Sequence, residues 1–140
     1  MIRSLAVNEL KPMSRYLLDT SIIVDLMHGD AEVQRRLAAA SEVFTPSIAI
    51  GELFYGARDS GRVEQNLAQT CVYATNYAIL TCDGVVAEEY GAITYELRIA
   101  GALIPENDMW LAAIARYHDL MLATRDAHVH NIAGLRVEIG

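Results

Sequence analysis

Short apolar runs alternate along this chain with stretches in which apolar residues recur every three or four positions. The first run, Tyr16-Leu17-Leu18, predicts a buried β-strand that ends at Asp19. Similar runs predict further strands over about 42–45, 78–81 and 120–124. Alternation of short strands with helices is typical of an α/β domain with a mainly parallel sheet.

The periodic stretches predict helices between these strands. They cover about 20–27, 31–40, 46–58, 62–76 and 85–100, and a last helix has Asp108 in its first turn. Thr45-Pro46 reads as a helix start, because a hydroxyl caps free amides and proline suits the first helical position. Gly51 and Gly56 lie inside the same helix, which indicates that another group approaches it closely.

The length of 140 residues fits a single domain. Residues 1–15 show no clear period, so we expect an N-terminal extension there, a folded domain over 16–140, and a possible natural start at Met13. The apolar runs are too short to span a bilayer and no signal-peptide core is present. We therefore expect a cytoplasmic protein without a membrane partner. Cys71 and Cys82 are expected to be buried free thiols.

The net charge of −7 has the wrong sign for a protein that holds nucleic acid through a broad basic surface. A nucleic-acid role would have to rely on local arginines, on a metal ion or on a basic partner. Lys11 is the only lysine in the sequence, and the other ten basic residues are arginines.

Four acids occupy positions where a carboxylate is informative. Asp19 and Asp126 follow predicted strands, while Glu52 and Asp108 lie on apolar helix faces. Three of them also have a plain structural explanation: Asp19 suits a helix cap, Asp108 suits the first turn of a helix, and Glu52 suits the solvated rim of its face.

If the four carboxylates converge, their mutual repulsion requires a neutralising cation. Oxygen ligands without cysteine or histidine favour Mg²⁺ or Mn²⁺ over zinc. Such a cation can polarise a phosphodiester and lower the pKa of an attacking water.

Four short segments also resemble a known family. They are Leu18-Asp19-Thr20-Ser21, Gly51-Glu52-Leu53, Ile104-Pro105-x-Asn107-Asp108-x-Trp110-Leu111-Ala112-Ala113, and Thr124-Arg125-Asp126 with Ile132-x-Gly134-Leu135. In this order and spacing the chain resembles a PIN-domain ribonuclease of the VapC toxin type over residues 15 to 140. Val129 departs from the family, in which many members carry phenylalanine after the histidine.

The resemblance implies a PIN-like three-layer α/β/α sandwich with a central mainly parallel sheet. It implies a Mg²⁺ or Mn²⁺ site built by Asp19, Glu52, Asp108 and Asp126 as catalytic and metal-binding residues, with Ser21 and Thr124 as hydroxyls that hold metal-bound water. The implied activity is endonucleolytic cleavage of RNA by the toxin component of a type II toxin-antitoxin system. The implied partners are a VapB-type antitoxin and a second copy in a homodimer.

Three residues near the last acid have other expected roles. His128 and His130 are expected to be surface or packing residues, although His128 is close enough in sequence to touch substrate. Arg125 is expected to pair with a neighbouring carboxylate rather than with phosphate.

Other functions fit the sequence less well. A phosphate-accepting receiver needs a lysine on a late strand, and Lys11 precedes the first strand. A haloacid-dehalogenase-like phosphatase needs a second aspartate where Ser21 stands. A non-toxin PIN nuclease in RNA processing stays open, and an inactive PIN scaffold is disfavoured by the presence of all four acids.

Apolar residues around Phe54, Tyr55 and Trp110 indicate a surface that is covered by association. A homodimer or an antitoxin helix would cover it. An inhibitory antitoxin is expected to carry an arginine that enters near Asp19 and Asp108, since its guanidinium can pair with carboxylates.

Overall fold

The computed structural model describes residues 14–139. The strands are β1 (Arg15–Leu18), β2 (Glu42–Pro46), β3 (Ala78–Leu80), β4 (Met121–Thr124) and β5 (Arg136–Ile139). The helices are α1 (Thr20–Met27), α2 (Ala31–Ala38), α3 (Ser47–Arg58), α4 (Val63–Asn76), α5 (Gly84–Ile99) and α6 (Glu106–His118), with a short 3₁₀ helix at Ala127–Asn131.

All five strands form one parallel sheet in the order β3-β2-β1-β4-β5. The first strand lies at the centre, where Leu17 pairs with Phe44 of β2 on one side and Leu122 of β4 on the other. The sequence prediction of an α/β domain with a mainly parallel sheet is confirmed. Since all strands run the same way, their carboxyl ends share one edge of the sheet.

The two faces of the sheet carry separate hydrophobic cores. Leu17 and Leu122 point into a core built with α5 and α6, where Ile93 and Ile114 are fully buried. The adjacent residue Leu18 points to the opposite face and packs with residues of the helices α1 to α4. Successive side chains of a strand alternate between faces, so β1 is buried on both sides. The result is the three-layer sandwich that the resemblance implies.

Local caps explain where several helices begin and end. Asp30 accepts hydrogen bonds from the backbone amides of Glu32 and Val33, both at 3.0 Å, and Asp83 accepts one from Val86 at 3.1 Å. Gly101 ends α5 with a φ of 68°, a conformation that glycine adopts without steric cost.

The expected start of the third helix is wrong by one residue, and its expected cap is also wrong. Pro46 ends β2 and occupies the N-cap position of α3 without a side-chain cap. The Thr45 hydroxyl is fully buried and forms a 2.7 Å hydrogen bond with the Tyr73 hydroxyl instead. A tertiary contact with α4 therefore overrides the local capping preference.

The expectation of buried cysteines is wrong, and the described chain itself supplies no close neighbour for the two glycines of α3. A Cβ built at Gly51 or Gly56 would meet no heavy atom within 4 Å, so no other part of the described chain approaches these glycines closely. Cys71 is exposed and Cys82 is only partly buried, although both thiols are free as expected.

The expected N-terminal extension lies outside the described residues except for Ser14 and Arg15. Arg15 opens β1 and pairs with Glu42 of β2 at 2.7 Å. Within residues 14–139, no helix is long and apolar enough to cross a membrane.

Candidate metal centre

The carboxyl ends of β1 and β4 lie side by side, and the Thr124 hydroxyl joins the acids that follow them. This side chain donates a 2.6 Å hydrogen bond to Asp19 Oδ2 and accepts one of 2.9 Å from the backbone amide of Asp126. Thr124 itself is 1% exposed. A buried hydroxyl at the end of the central strands therefore holds Asp19 and Asp126 in fixed relative positions.

Asp19 is both a helix cap and a member of the acidic site. Its Oδ1 accepts the backbone amide of Thr20 at 2.6 Å, at the start of α1. Burial raises the pKa of the Asp19 carboxyl, the hydrogen bonds from Thr124 and Thr20 lower it, and the nearby charges of Glu52 and Asp126 raise it again. The net shift is upward. The helix cap expected of Asp19 is thus confirmed, and the same carboxyl lies near the other acids.

Glu52 is held by residues adjacent to two other acids. Its Oε1 accepts a 2.5 Å hydrogen bond from the Thr20 hydroxyl, and its Oε2 accepts one of 3.0 Å from the Asn107 amide. Thr20 follows Asp19 and Asn107 precedes Asp108, so these contacts carry Glu52 to the same edge of the sheet. Neither Thr20 nor Asn107 received a role in the metal site from the sequence, although each neighbours an acid and lies in a segment that carries the family resemblance.

Asp108 and Asp126 form a coupled pair with His128. One ligand atom from each of the three side chains lies within 4.8 Å of the other two. Burial, followed by the hydrogen bond and charge of Asp126, raises the pKa of Asp108 to about 6. The pKa of Asp126 is lowered, first because its carboxylate accepts the backbone amide of His128. Of the two carboxyls, Asp108 is therefore the one that binds a proton first as the pH falls.

His128 is exposed, as expected, yet it contacts two of the acids. Its Nδ1 lies 3.0 Å from Asp126 Oδ1 and 3.8 Å from Asp108 Oδ2. His130 is also exposed. The expected ion pair of Arg125 is confirmed, since its guanidinium contacts Asp25 at 2.5 Å. The sequence shows that His128 lies two residues after Asp126. It does not show the 3₁₀ turn that brings His128 back toward the acids.

The site offers the ligand chemistry that a hard divalent cation requires. Asp108 and Asp126 lie close enough to share an ion with His128, whereas Asp19 and Glu52 do not belong to such a group within residues 14–139. The charge of Glu52 acts on Asp19, and that of Asp19 acts on Asp108, so all four acids lie in one region. The Ser21 hydroxyl is buried and has no hydrogen-bond partner within the described part of the chain. A buried polar atom without a partner is costly, so Ser21 fits a site that holds a further ligand such as water. Carboxylate and hydroxyl oxygens match the preference of Mg²⁺ and Mn²⁺.

Comparison with known proteins agrees with this geometry. The sequence matches the PIN domain family over residues 16–135, which include all four acids. The chain therefore belongs to the PIN domain family, a family of nuclease domains.

Its relatives within that family are VapC ribonucleases. The chain is 33% identical to ribonuclease VapC2 of Haemophilus influenzae over 129 residues, which cover 90% of this chain and 98% of that protein. It is 30% identical to the tRNA(fMet)-specific endonuclease VapC of Shigella flexneri, with the same coverage. The fold also matches the DNA-bound VapBC complex of Salmonella typhimurium, with a TM-score of 0.82, 27% identity, and coverage of 91% of this chain and 98% of that one.

Proposed function

We propose that this protein is a Mg²⁺- or Mn²⁺-dependent endoribonuclease that acts as the toxin of a type II toxin-antitoxin system in the cytoplasm. The observation that carries the proposal is the convergence of Asp19, Glu52, Asp108 and Asp126 at the carboxyl edge of a parallel sheet. The VapC relatives support the choice of RNA as substrate, because they are named as ribonucleases.

The four acids are the proposed metal-binding and catalytic residues, and the hydroxyls of Ser21 and Thr124 are the proposed partners of metal-bound water. When bound, a divalent cation would polarise the phosphodiester and lower the pKa of an attacking water. Support for this assignment comes from the carboxylates, beside which His128 offers a ring nitrogen. The buried Ser21 hydroxyl, which has no hydrogen-bond partner within residues 14–139, supports it as well.

The surrounding residues of the chain position the carboxylates before any ligand arrives. Thr124 orients Asp19, while Thr20 and Asn107 orient the two oxygens of Glu52. Asp108 holds a proton below about pH 6, and cation binding must displace that proton. Such preorganisation lowers the cost of assembling the site around an ion and a phosphate.

The proposed partners are a VapB-type antitoxin and a second copy of the chain. Related structures of VapBC complexes support the antitoxin. The exposed Tyr55, Tyr95 and Ile99 side chains, each at least 65% accessible, support a further protein contact.

The experiment is cleavage of RNA by the purified protein with Mn²⁺ or Mg²⁺, compared among three variants of equal volume. Asp19→Asn and Asp108→Asn should each lose at least about 100-fold in rate, because a charged ligand worth several kcal/mol is removed. Asp59→Asn is the matched control, since Asp59 is exposed at the end of α3 and makes no side-chain hydrogen bond within residues 14–139.

Full activity of both site variants, or full activity in excess EDTA, would refute the metal-dependent nuclease. A non-toxin RNA-processing nuclease is distinguished by expression in cells. The toxin proposal requires growth arrest that depends on Asp19 and that co-expression of a small neighbouring antitoxin relieves. An inactive scaffold would show no difference between Asp19→Asn and the unmodified protein.

A further inference from the structure

A cavity of about 380 Å³ opens beside the metal centre, between helices α1, α3 and α4. Thr20 and Glu52 form its wall on the side of the four acids, and Val24, Met27 and Leu53 supply apolar surface. We call this cavity the amide pocket, because Asn66 and Gln69 of α4 line its other side. A ligand in the amide pocket would lie next to whatever the metal centre binds.

The polar lining of the amide pocket consists of neutral amides and hydroxyls together with Glu52 and His28. Gln69 is exposed, and its side chain makes no hydrogen bond within the described part of the chain. Asn66 donates through Nδ2 to the Ser60 hydroxyl at 2.9 Å, which leaves its Oδ1 able to accept. The lining includes Glu52 but no arginine or lysine. These features disfavour a phosphate and suit a planar, uncharged group with donors and acceptors on its edge.

A nucleobase has this chemistry. Proteins that recognise single-stranded RNA hold unstacked bases against apolar surface and hydrogen-bond their edges, and amide side chains pair well with such edges. The chain carries a net charge of −7, so phosphate contacts can supply little of its affinity for RNA. Contacts to bases beside the scissile bond would supply both affinity and sequence preference.

We propose that the amide pocket binds one unstacked nucleobase of the RNA next to the scissile phosphate, and that Gln69 and Asn66 read its edge. This inference rests on the proposed ribonuclease activity and adds a specificity site to it. The apolar surface of Val24 and Met27 contacts the face of the base, while the Gln69 amide selects among bases.

The first test compares two glutamines that are one helical turn apart on α4. Gln69 lines the amide pocket, whereas Gln65 lines only the neighbouring groove toward α2. Cleavage of a randomised RNA pool, followed by sequencing of the new ends, should show a nucleotide preference beside the cut. Gln69→Ala should weaken that preference by about 10- to 100-fold, as loss of an amide-base pair does, and Gln65→Ala should leave it unchanged. An unchanged preference in Gln69→Ala overturns the inference.

A second pair of variants tests whether filling the pocket removes the preference. Gly56 lines the amide pocket in α3, and a Cβ built there meets no atom within 4 Å, so Gly56→Leu places a side chain at the pocket without a clash at its first atom. Gly91 in α5 is equally open and exposed but lies outside the pocket, which makes Gly91→Leu the control. Gly56→Leu should abolish the preference while circular dichroism and melting stay as in the control. Retention of the preference overturns the inference.

A binding measurement separates this inference from the proposed function. Val24 lines the amide pocket but not the neighbouring groove, so its ¹³C-methyl NMR signals report occupancy of the pocket without any cleavage. Free nucleosides should shift the Val24 methyl signals, while ribose 5-phosphate should not. If the protein cleaves no RNA, the ribonuclease proposal fails. The shifts still show whether the amide pocket binds a nucleobase. Absence of the shifts overturns the inference. The inference is also overturned if Gln69→Ala changes the binding of the antitoxin but not the nucleotide preference.

Discussion

The Asn107 amide donates a 3.0 Å hydrogen bond to Glu52, and this contact joins α6 to α3 beside the metal centre. Because it holds a proposed ligand, Asn107→Ala should weaken Mn²⁺ binding by about 10- to 100-fold, as loss of such supporting contacts does. Titration by electron paramagnetic resonance measures the affinity. Asn131→Ala is the control, since Asn131 is exposed and makes no side-chain hydrogen bond within residues 14–139. Equal dissociation constants for both variants would show that Asn107 does not position a ligand.

Divalent cations should raise the melting temperature, because an ion that binds only the folded state stabilises it by mass action. At a concentration one hundred times the dissociation constant, the gain is about 2.7 kcal/mol. Asp126→Asn should shrink the gain, since this carboxylate lies within 4.8 Å of potential ligand atoms of Asp108. Differential scanning calorimetry with Mn²⁺ and Mg²⁺ measures the rise in melting temperature for each protein. An equal gain in Asp126→Asn would exclude Asp126 from the site.

The raised pKa of Asp108 predicts how stability without metal depends on pH. Its carboxyl titrates near pH 6 in the folded state and near 3.8 when unfolded. The folded state therefore binds more protons in this window, so stability should fall as pH rises from about 4 to about 6. We expect a loss of about 1 to 2 kcal/mol, because solvent around the site weakens the effect.

Urea unfolding at several pH values in EDTA measures this dependence. Asp108→Asn removes the titrating group and should remove the decline between pH 4 and 6, whereas Asp59→Asn should retain it. If the decline in stability persists unchanged in Asp108→Asn, another titrating group causes it.

The buried hydrogen bond between Thr45 and Tyr73 should contribute measurably to stability. Burial raises the pKa of Tyr73 to about 12, so the hydroxyl stays protonated and paired. Tyr73→Phe leaves the Thr45 hydroxyl without a partner and should cost about 1 to 3 kcal/mol in the free energy of unfolding. Tyr77→Phe is the control, because Tyr77 stacks on Tyr73 but its hydroxyl makes no hydrogen bond within residues 14–139.

The double variant Thr45→Val with Tyr73→Phe removes both polar groups and should recover part of the loss, since paired removal costs less than an orphaned hydroxyl. Chemical denaturation compares the unmodified protein with the single variants Thr45→Val and Tyr73→Phe, with the double variant and with the Tyr77→Phe control. Additive losses in the double variant would argue against a direct contribution from this hydrogen bond.

The antitoxin is expected to inhibit through an arginine that enters the acidic site near Asp19 and Asp108. Its guanidinium can pair with carboxylates in two parallel hydrogen bonds and so compete with metal and RNA. An antitoxin in which that arginine is changed to alanine should protect cells less and leave more RNA cleavage. The control is an antitoxin in which an arginine that does not enter the acidic site is changed to alanine. Equal protection by the two would show that inhibition does not work through the acids.

The sequence allowed prediction of the features that depend on local pattern. The alternation of strands and helices could be predicted from the spacing of apolar residues. The acids after β1 and β4 could be predicted because each stands directly after, or close after, an apolar run. Contacts between distant residues could not be predicted in the same way. Thr45 has the local signature of a helix cap, yet its hydroxyl pairs with Tyr73, which is 28 residues away.

The supporting contacts of the site were missed for the same physical reason. Thr20 and Asn107 reach Glu52 across 32 and 55 residues, and no periodic pattern encodes such a pairing. His128 was assigned to the surface because two histidines spaced two apart are usually exposed. The backbone turn at Asp126 brings His128 against the acids, and that turn depends on a cap formed by Asp126 itself.

The central position of β1 has a consequence for the protein during its own synthesis. Asp19 is translated early, but Thr124, which orients it, lies 105 residues later. The strand that carries Thr124 pairs directly with β1, so the middle of the sheet closes only after β4 leaves the ribosome. A nascent chain that ends within α6 has neither Thr124 nor Asp126. Chains that terminate before Thr124 should therefore lack the proposed nuclease activity.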